Sequence, residues 1–71
     1  MSRAANRTRL EREAIKLGIA QHNLGWDERR CEVVAMVGND RVTIDAGRSE
    51  HDLRYAMQQL RSAVYLAHAR T

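Results

Sequence analysis

Between Ser49 and about Arg70, the apolar residues Leu53, Ala56, Met57, Leu60, Ala63, Val64 and Ala67 recur every three or four positions. That spacing gathers them on one stripe of an α-helix. A second stripe beside it, Arg54, Gln58, Arg61, Tyr65 and His68, is polar. The first stripe demands burial and the second faces outward. Ser49 stands at the helix start with Asp52 three residues on, a close variant of the capping box. Glu50 and Arg54 add a favourable i,i+4 pair.

An earlier helix is predicted from Thr8, where Thr8-Arg9-Leu10-Glu11 matches a capping box, to Asn23 or Leu24. Gly25 is a natural stop, with Trp26 folding back over the last turn. Gly18 inside this span marks a close helix contact or an early end. Leu10, Ala14, Leu17, Ala20 and Leu24 form one face, whereas Ile15 and Ile19 lie nearly opposite. The two isoleucines therefore ask for a second surface, either within the domain or on another molecule. Residues 1–7 read as a flexible basic arm, leaving 8–71 as one domain.

Between the helices, Cys31 to Val37 is rich in β-branched residues, Gly38-Asn39-Asp40-Arg41 reads as a turn, and Val42 to Ala46 alternates. This is a β-hairpin signature. Pairing Val37 with Val42 puts Cys31, Val33, Ala35 and Val37 on the core face with Val42, Ile44 and Ala46. Val34 and Met36 then point outward near Thr43 and Asp45. A lone hairpin is marginal in water, so both helices are expected on one face of it. The expected fold class is α+β, a helix–hairpin–helix domain. Its core is Leu10, Ala14, Leu17, Leu24, Val33, Ala35, Val37, Val42, Ile44, Leu53, Met57, Leu60 and Val64. Open strand edges and the outward residues Ile15, Ile19, Val34 and Met36 point to a homodimer interface.

Size sharpens that expectation. A 71-residue chain is one small domain, and small cores are commonly supplemented by disulfides, metals or oligomerisation. Cys31 is the single cysteine, and His22, His51 and His68 show no metal-ligand spacing with it, so no metal or cofactor is expected. No apolar run approaches a membrane span, and no signal peptide is recognisable, so a cytoplasmic protein is expected. The positive charge is eleven arginines and one lysine, a bias that a GC-rich coding sequence also produces. The charge is uneven. Arg3, Arg7, Arg9 and Arg12 outnumber Glu11 at the start, and residues 13–40 are acidic on balance. Basic ends attract phosphate or acidic protein surfaces.

Catalysis has little support. Cys31 has no base tied to it by sequence. Glu11/Glu13 and Asp27/Glu28 lie in charged segments without the apolar surroundings that raise a carboxyl pKa. There is no Gly-rich phosphate loop and no sign of a small-molecule substrate. Arg54, Gln58, Arg61, Tyr65 and His68, with Arg29 and Arg30, are the candidate partner-binding residues. A protein partner is the primary expectation, because Arg and Tyr often dominate interface energy. A small DNA- or RNA-binding regulator is the alternative, using the basic arm and last helix for phosphate and base contacts. The chain is of a type that suits a phage or mobile-element accessory protein, one that inhibits or modulates a larger host protein or nucleoprotein complex.

Overall fold

The computed structural model describes residues 2–69. Helix α1 (Arg3–Lys16) leads through a single 3₁₀ turn (Gln21–Asn23) into strands β1 (Leu24–Asp27), β2 (Glu32–Val37) and β3 (Asp40–Asp45), and helix α2 (Glu50–Ala69) follows. The strands form an antiparallel sheet in the order β1-β2-β3. Both helices pack against it and against each other, giving an α+β domain with a helix layer and a sheet layer.

The sheet has three strands where the sequence pattern predicts a two-stranded hairpin. The extra strand is Leu24-Gly25-Trp26-Asp27, paired so that Leu24 opposes Ala35 and Trp26 opposes Val33. It occupies residues expected to end a long first helix. That helix ends at Lys16, seven residues before Asn23, and Gly18 follows its C-cap Leu17. Gly18 adopts φ +98°, a conformation that costs a residue with a Cβ but not glycine. Its N–H donates to the Ile15 carbonyl, and the Ile19 N–H donates to the Ala14 carbonyl. This is the Schellman arrangement, in which the residue after the glycine folds back onto the helix. Ile19 is therefore buried in the core rather than presented on an outer helix face. The expected outward position of Ile19 rested on helical phase that the chain no longer follows.

The start of α1 also differs from expectation. Ser2, not Thr8, caps the helix, its hydroxyl accepting the Ala5 N–H at 3.2 Å. Thr8 lies within the helix and its hydroxyl donates to the Ala4 carbonyl. Arg3 to Arg7, expected in a frayed arm, are the first turns of α1. Asn6 anchors them. It is fully buried and donates through Nδ2 to the Ala46 and Ser49 carbonyls, each at 3.0 Å. The expected arm's first residue, Met1, lies outside the described residues.

The hairpin turn is two residues, so Val37 opposes Asp40, Ala35 opposes Val42 and Val33 opposes Ile44. The register differs from the expected Val37–Val42 pairing by two residues. Side chains alternate with a period of two, so this slip leaves the residues of β2 and β3 on their expected faces. Val33, Ala35, Val37, Ile44 and Ala46 are buried against Leu10, Ala14, Leu53, Ala56, Leu60 and Val64. Leu17, Leu24, Trp26, Val42 and Met57 close the margins. The Arg7 guanidinium lies over the Trp26 ring, 4.7 Å from its centroid, a geometry in which the ring quadrupole attracts the cation. At the start of α2 the Ser49 hydroxyl accepts the Asp52 N–H, while the Asp52 carboxylate accepts the N–H groups of Arg48 and Ser49. The expected cap is formed.

Candidate functional surface

With Leu53, Ala56, Leu60 and Val64 given to the core, α2 presents two solvent-facing stripes. Arg54, Gln58, Arg61, Tyr65 and His68 form the first, on the side nearer α1. Tyr65 is 73% exposed, the most exposed of the large apolar side chains. Arg54, Gln58 and Arg61 line one shallow depression with His51, Tyr55 and Met57. Tyr55, Gln59, Ser62 and Leu66 form the second stripe, beside β3. Tyr55 and Leu66 were not among the expected partner-binding or interface residues. Their shared stripe was visible in their 3–4 residue spacing.

Ion pairs join the helices. Arg9 Nη1 meets Glu50 Oε2 at 2.9 Å, Arg61 Nη2 meets Glu13 Oε1 at 3.5 Å, and within α1 Arg7 Nε meets Glu11 Oε1 at 2.7 Å. The hydrogen bond from Arg9 holds the Glu50 carboxyl below its ordinary value against the opposing effect of desolvation, and the charges of Arg9 and Arg54 act in the same direction as that bond. Such exposed pairs contribute little stability, because solvent and salt screen them. Their larger consequence is electrostatic, because they neutralise cations that would otherwise build a continuous positive field on the helix layer.

Arg29 and Arg30 lie elsewhere. They sit in the β1–β2 turn, where their backbone N–H groups donate to Asp27 Oδ1 at 3.0 and 3.1 Å. They share a hollow with Asp27, Glu32, Arg41 and Thr43 on the sheet side. The structure thus splits the seven expected partner-binding residues into a helix-layer group of five and a sheet-layer pair. The expected interface residues are also separated. Val34 and Met36 lie on the open sheet face, Met36 being 39% exposed. Ile15 is exposed on α1, and Ile19 is in the core.

The open sheet face carries a row of like charges. Asp27 opposes Glu32, and Glu32 opposes Asp45, so three carboxylates cross the sheet side by side. Directly opposed like charges destabilise a sheet. Asp27 uses its carboxylate on the turn and Asp45 uses its own on the Gly47 N–H, while Glu32 Oε1 is enclosed without a hydrogen-bond partner. Among the described residues no group of three or more His, Cys, Asp or Glu is arranged to hold a metal ion.

Cys31, expected to open β2 on the core face, instead occupies the turn at φ +56°, and the strand starts at Glu32. Its thiol donates to the Glu28 carbonyl at 3.7 Å. No helix among the described residues is long and apolar enough to cross a membrane. Comparison with protein-family models, with curated proteins and with solved structures finds no match for this chain.

Proposed function

We propose that this chain is a non-catalytic protein-binding module that docks on a larger protein through the Arg54–Gln58–Arg61–Tyr65–His68 stripe of α2. The observation that carries this reading is the 73% exposure of Tyr65, towards the C-terminal end of a helix whose apolar stripe is already committed to the core. A tyrosine set between Arg61 and His68 on the stripe buries apolar area at small entropic cost and keeps hydrogen-bonding capacity, and Tyr and Arg are residue types enriched among interface anchors. The partner's matching surface would be acidic at its rim and apolar at its centre. An accessory protein of a phage or mobile element, inhibiting or modulating a host complex, is the setting this design fits.

The nucleic-acid alternative is less favoured because Arg7, Arg9 and Arg61 are paired with glutamates and the sheet layer carries the carboxylate row. Salt separates the two. Phosphate-driven binding weakens linearly in log–log terms with salt, by about 0.7–0.9 per phosphate neutralised. The experiment compares capture of partners by the wild type and by Arg54→Ala/Tyr65→Ser from a lysate treated with nuclease. Expected is a protein retained at high salt by the wild type and lost from the variant. Retention of duplex or single-stranded nucleic acid at low salt, lost in Arg54→Ala/Arg61→Ala, would replace this reading with the alternative.

A further inference from the structure

The sheet has two open edges of unequal character. β1 is four residues long and contains Gly25, whereas β3 offers six residues without proline. The charged residues of β3, Asp40, Arg41 and Asp45, are of both signs, so they guard the edge against other strands more than against a copy that matches them. The two-residue turn makes Val37 and Asp40 a hydrogen-bonded pair, and bonding alternates along an antiparallel ladder. The backbone groups of Arg41, Thr43 and Asp45 therefore point off the free edge. Their side chains lie on the open face.

This edge is complementary to itself. We propose that two copies of this chain pair antiparallel along β3 about a two-fold axis at Thr43, forming a continuous six-stranded sheet. About that axis Thr43 meets the partner's Thr43, and Arg41 stands opposite the partner's Asp45, twice. Opposite-charge and Thr–Thr cross-strand pairs are both favourable. Arg41 makes no ion pair with a described residue within one copy. The partner's Arg41 also extends the row Asp27–Glu32–Asp45, supplying a cation to three adjacent carboxylates.

The helix layer independently places the axis at the same point. Tyr55 and Gln59 share a hollow with Thr43 and Asp45, while Ala63 and Leu66 share one with Asp40 and Val42. α2 therefore runs antiparallel to β3 beside the free edge. Tyr55 and Leu66, 62% and 54% exposed, lie about 16 Å apart along the helix. Arg41 and Asp45 lie about 14 Å apart along the strand. The midpoint of both spans falls beside Thr43, so the axis that pairs Arg41 with the partner's Asp45 also brings Tyr55 against the partner's Leu66. Two patterns, one of charge and one of apolar groups, thus specify one symmetric, closed contact. This inference stands apart from the proposed function, because none of its residues belongs to the Arg54–Tyr65 stripe.

Light-scattering mass of the full chain tests it, with Trp26 fluorescence confirming that each variant is folded. The wild type is expected at twice the 8.1 kDa chain mass. Arg41→Glu, which sets two pairs of carboxylates against each other, should raise the dissociation constant about tenfold or more. Leu66→Glu, altering an exposed position only, should do the same through the helix layer. Arg41→Glu/Asp45→Arg restores opposite charges across the axis and should regain the double mass. A wild type that stays at the single-chain mass at about 100 µM would overturn the proposal, whatever else binds the edge. So would a double mass unchanged in both Arg41→Glu and Leu66→Glu. A folded charge-swapped double variant that remains at the single mass would overturn the Arg41–Asp45 register.

Discussion

Asn6 is the most sensitive test of how this fold closes. Its Nδ2 bridges the Ala46 and Ser49 carbonyls, 40 and 43 residues away, and so ties the start of α1 to the loop between β3 and α2. Asn6→Ala removes both bonds, each contributing about 1 kcal/mol net. The Ser49 carbonyl keeps its helical bond from the Leu53 N–H at 3.0 Å, so the heavier loss falls on the Ala46 carbonyl. Part of the cost is offset, because Asn6 Oδ1 is itself enclosed without a partner and leaves with the side chain. The expected net loss is about 2 kcal/mol. A 71-residue domain has a total stability of roughly 4–10 kcal/mol, so Asn6→Ala should remain folded.

Asn6→Asp keeps the shape and should be worse. It sets an ionised carboxylate against two carbonyl oxygens in a fully buried site, at a cost of about 4 kcal/mol or more. Acid should relieve this difference, because a protonated Asp presents one O–H donor. Urea unfolding followed by Trp26 fluorescence measures both variants, and amide exchange reads the protection of Arg3 to Arg9. An Asn6→Ala protein within about 0.5 kcal/mol of the wild type, with Arg3 to Arg7 exchanging freely in both, would refute the anchoring role.

Two further predictions use the same unfolding assay. Gly47 has φ +69° and a Cβ there would fall on Asp52 Cβ, with Asp52 Cγ and Oδ2 at 2.8 Å, so Gly47→Ala should cost about 3 kcal/mol by straining the backbone and displacing the cap. Gly18→Ala, strained at φ +98° but facing open space, should cost only about 1 kcal/mol; equal costs would show that the Asp52 contact is unimportant. For pH, the backbone N–H groups of Arg48 and Ser49, with the Ser49 hydroxyl, hold the Asp52 carboxyl below its ordinary 3.8, and Arg9 holds Glu50 below 4.5. Both groups bind protons less readily when folded, so their stabilisation is complete above those ordinary values and is lost as pH falls through the depressed ones. Stability measured against pH should fall below about pH 4.5, and Asp52→Asn should flatten the descent below 3.8; a parallel curve for that variant would count against the cap.

Elements built from local periodicity were legible, and those built by distant partners were not. The apolar stripe of α2 and the alternation of β2 and β3 assign their core faces without knowledge of neighbours, and a two-residue register error left those faces intact. β1 was hidden because Leu24 happens to fall in helical phase with Leu10 and Ala14, while the strand itself is four residues with a glycine. The deciding signal was present in Gly18-Ile19, a glycine followed by a large apolar residue, which is the Schellman pattern. Ser2 carried less signal than Thr8 because no acidic residue follows it at the third position. Nothing local marks Asn6, whose partners are carbonyls brought near only by the finished fold. The five-residue stripe on α2 was legible because one helix carries all of it. Its separation from Arg29 and Arg30 depended on the unseen third strand.

The three faces of α2 connect these observations to function. One face is held by the core, and the Tyr55–Leu66 stripe stands beside the free β3 edge, where the proposed second copy would sit. The Arg54–Tyr65 stripe lies on the opposite flank, nearer α1, and stays exposed in such a pair. An antiparallel pairing of α2 helices would then display that stripe twice, related by the same axis. A partner that itself carries two acidic sites within reach would be held with an effective concentration in the millimolar range for the second contact. Weak docking by a short polar stripe would thereby become firm binding without any enlargement of the stripe. Leu66→Glu isolates that contribution, because it lies off the docking stripe: it should leave the affinity of a single site unchanged while lowering the apparent affinity for a two-site partner about 100-fold. Equal affinity of the wild type and Leu66→Glu for a two-site partner would show that each copy works alone.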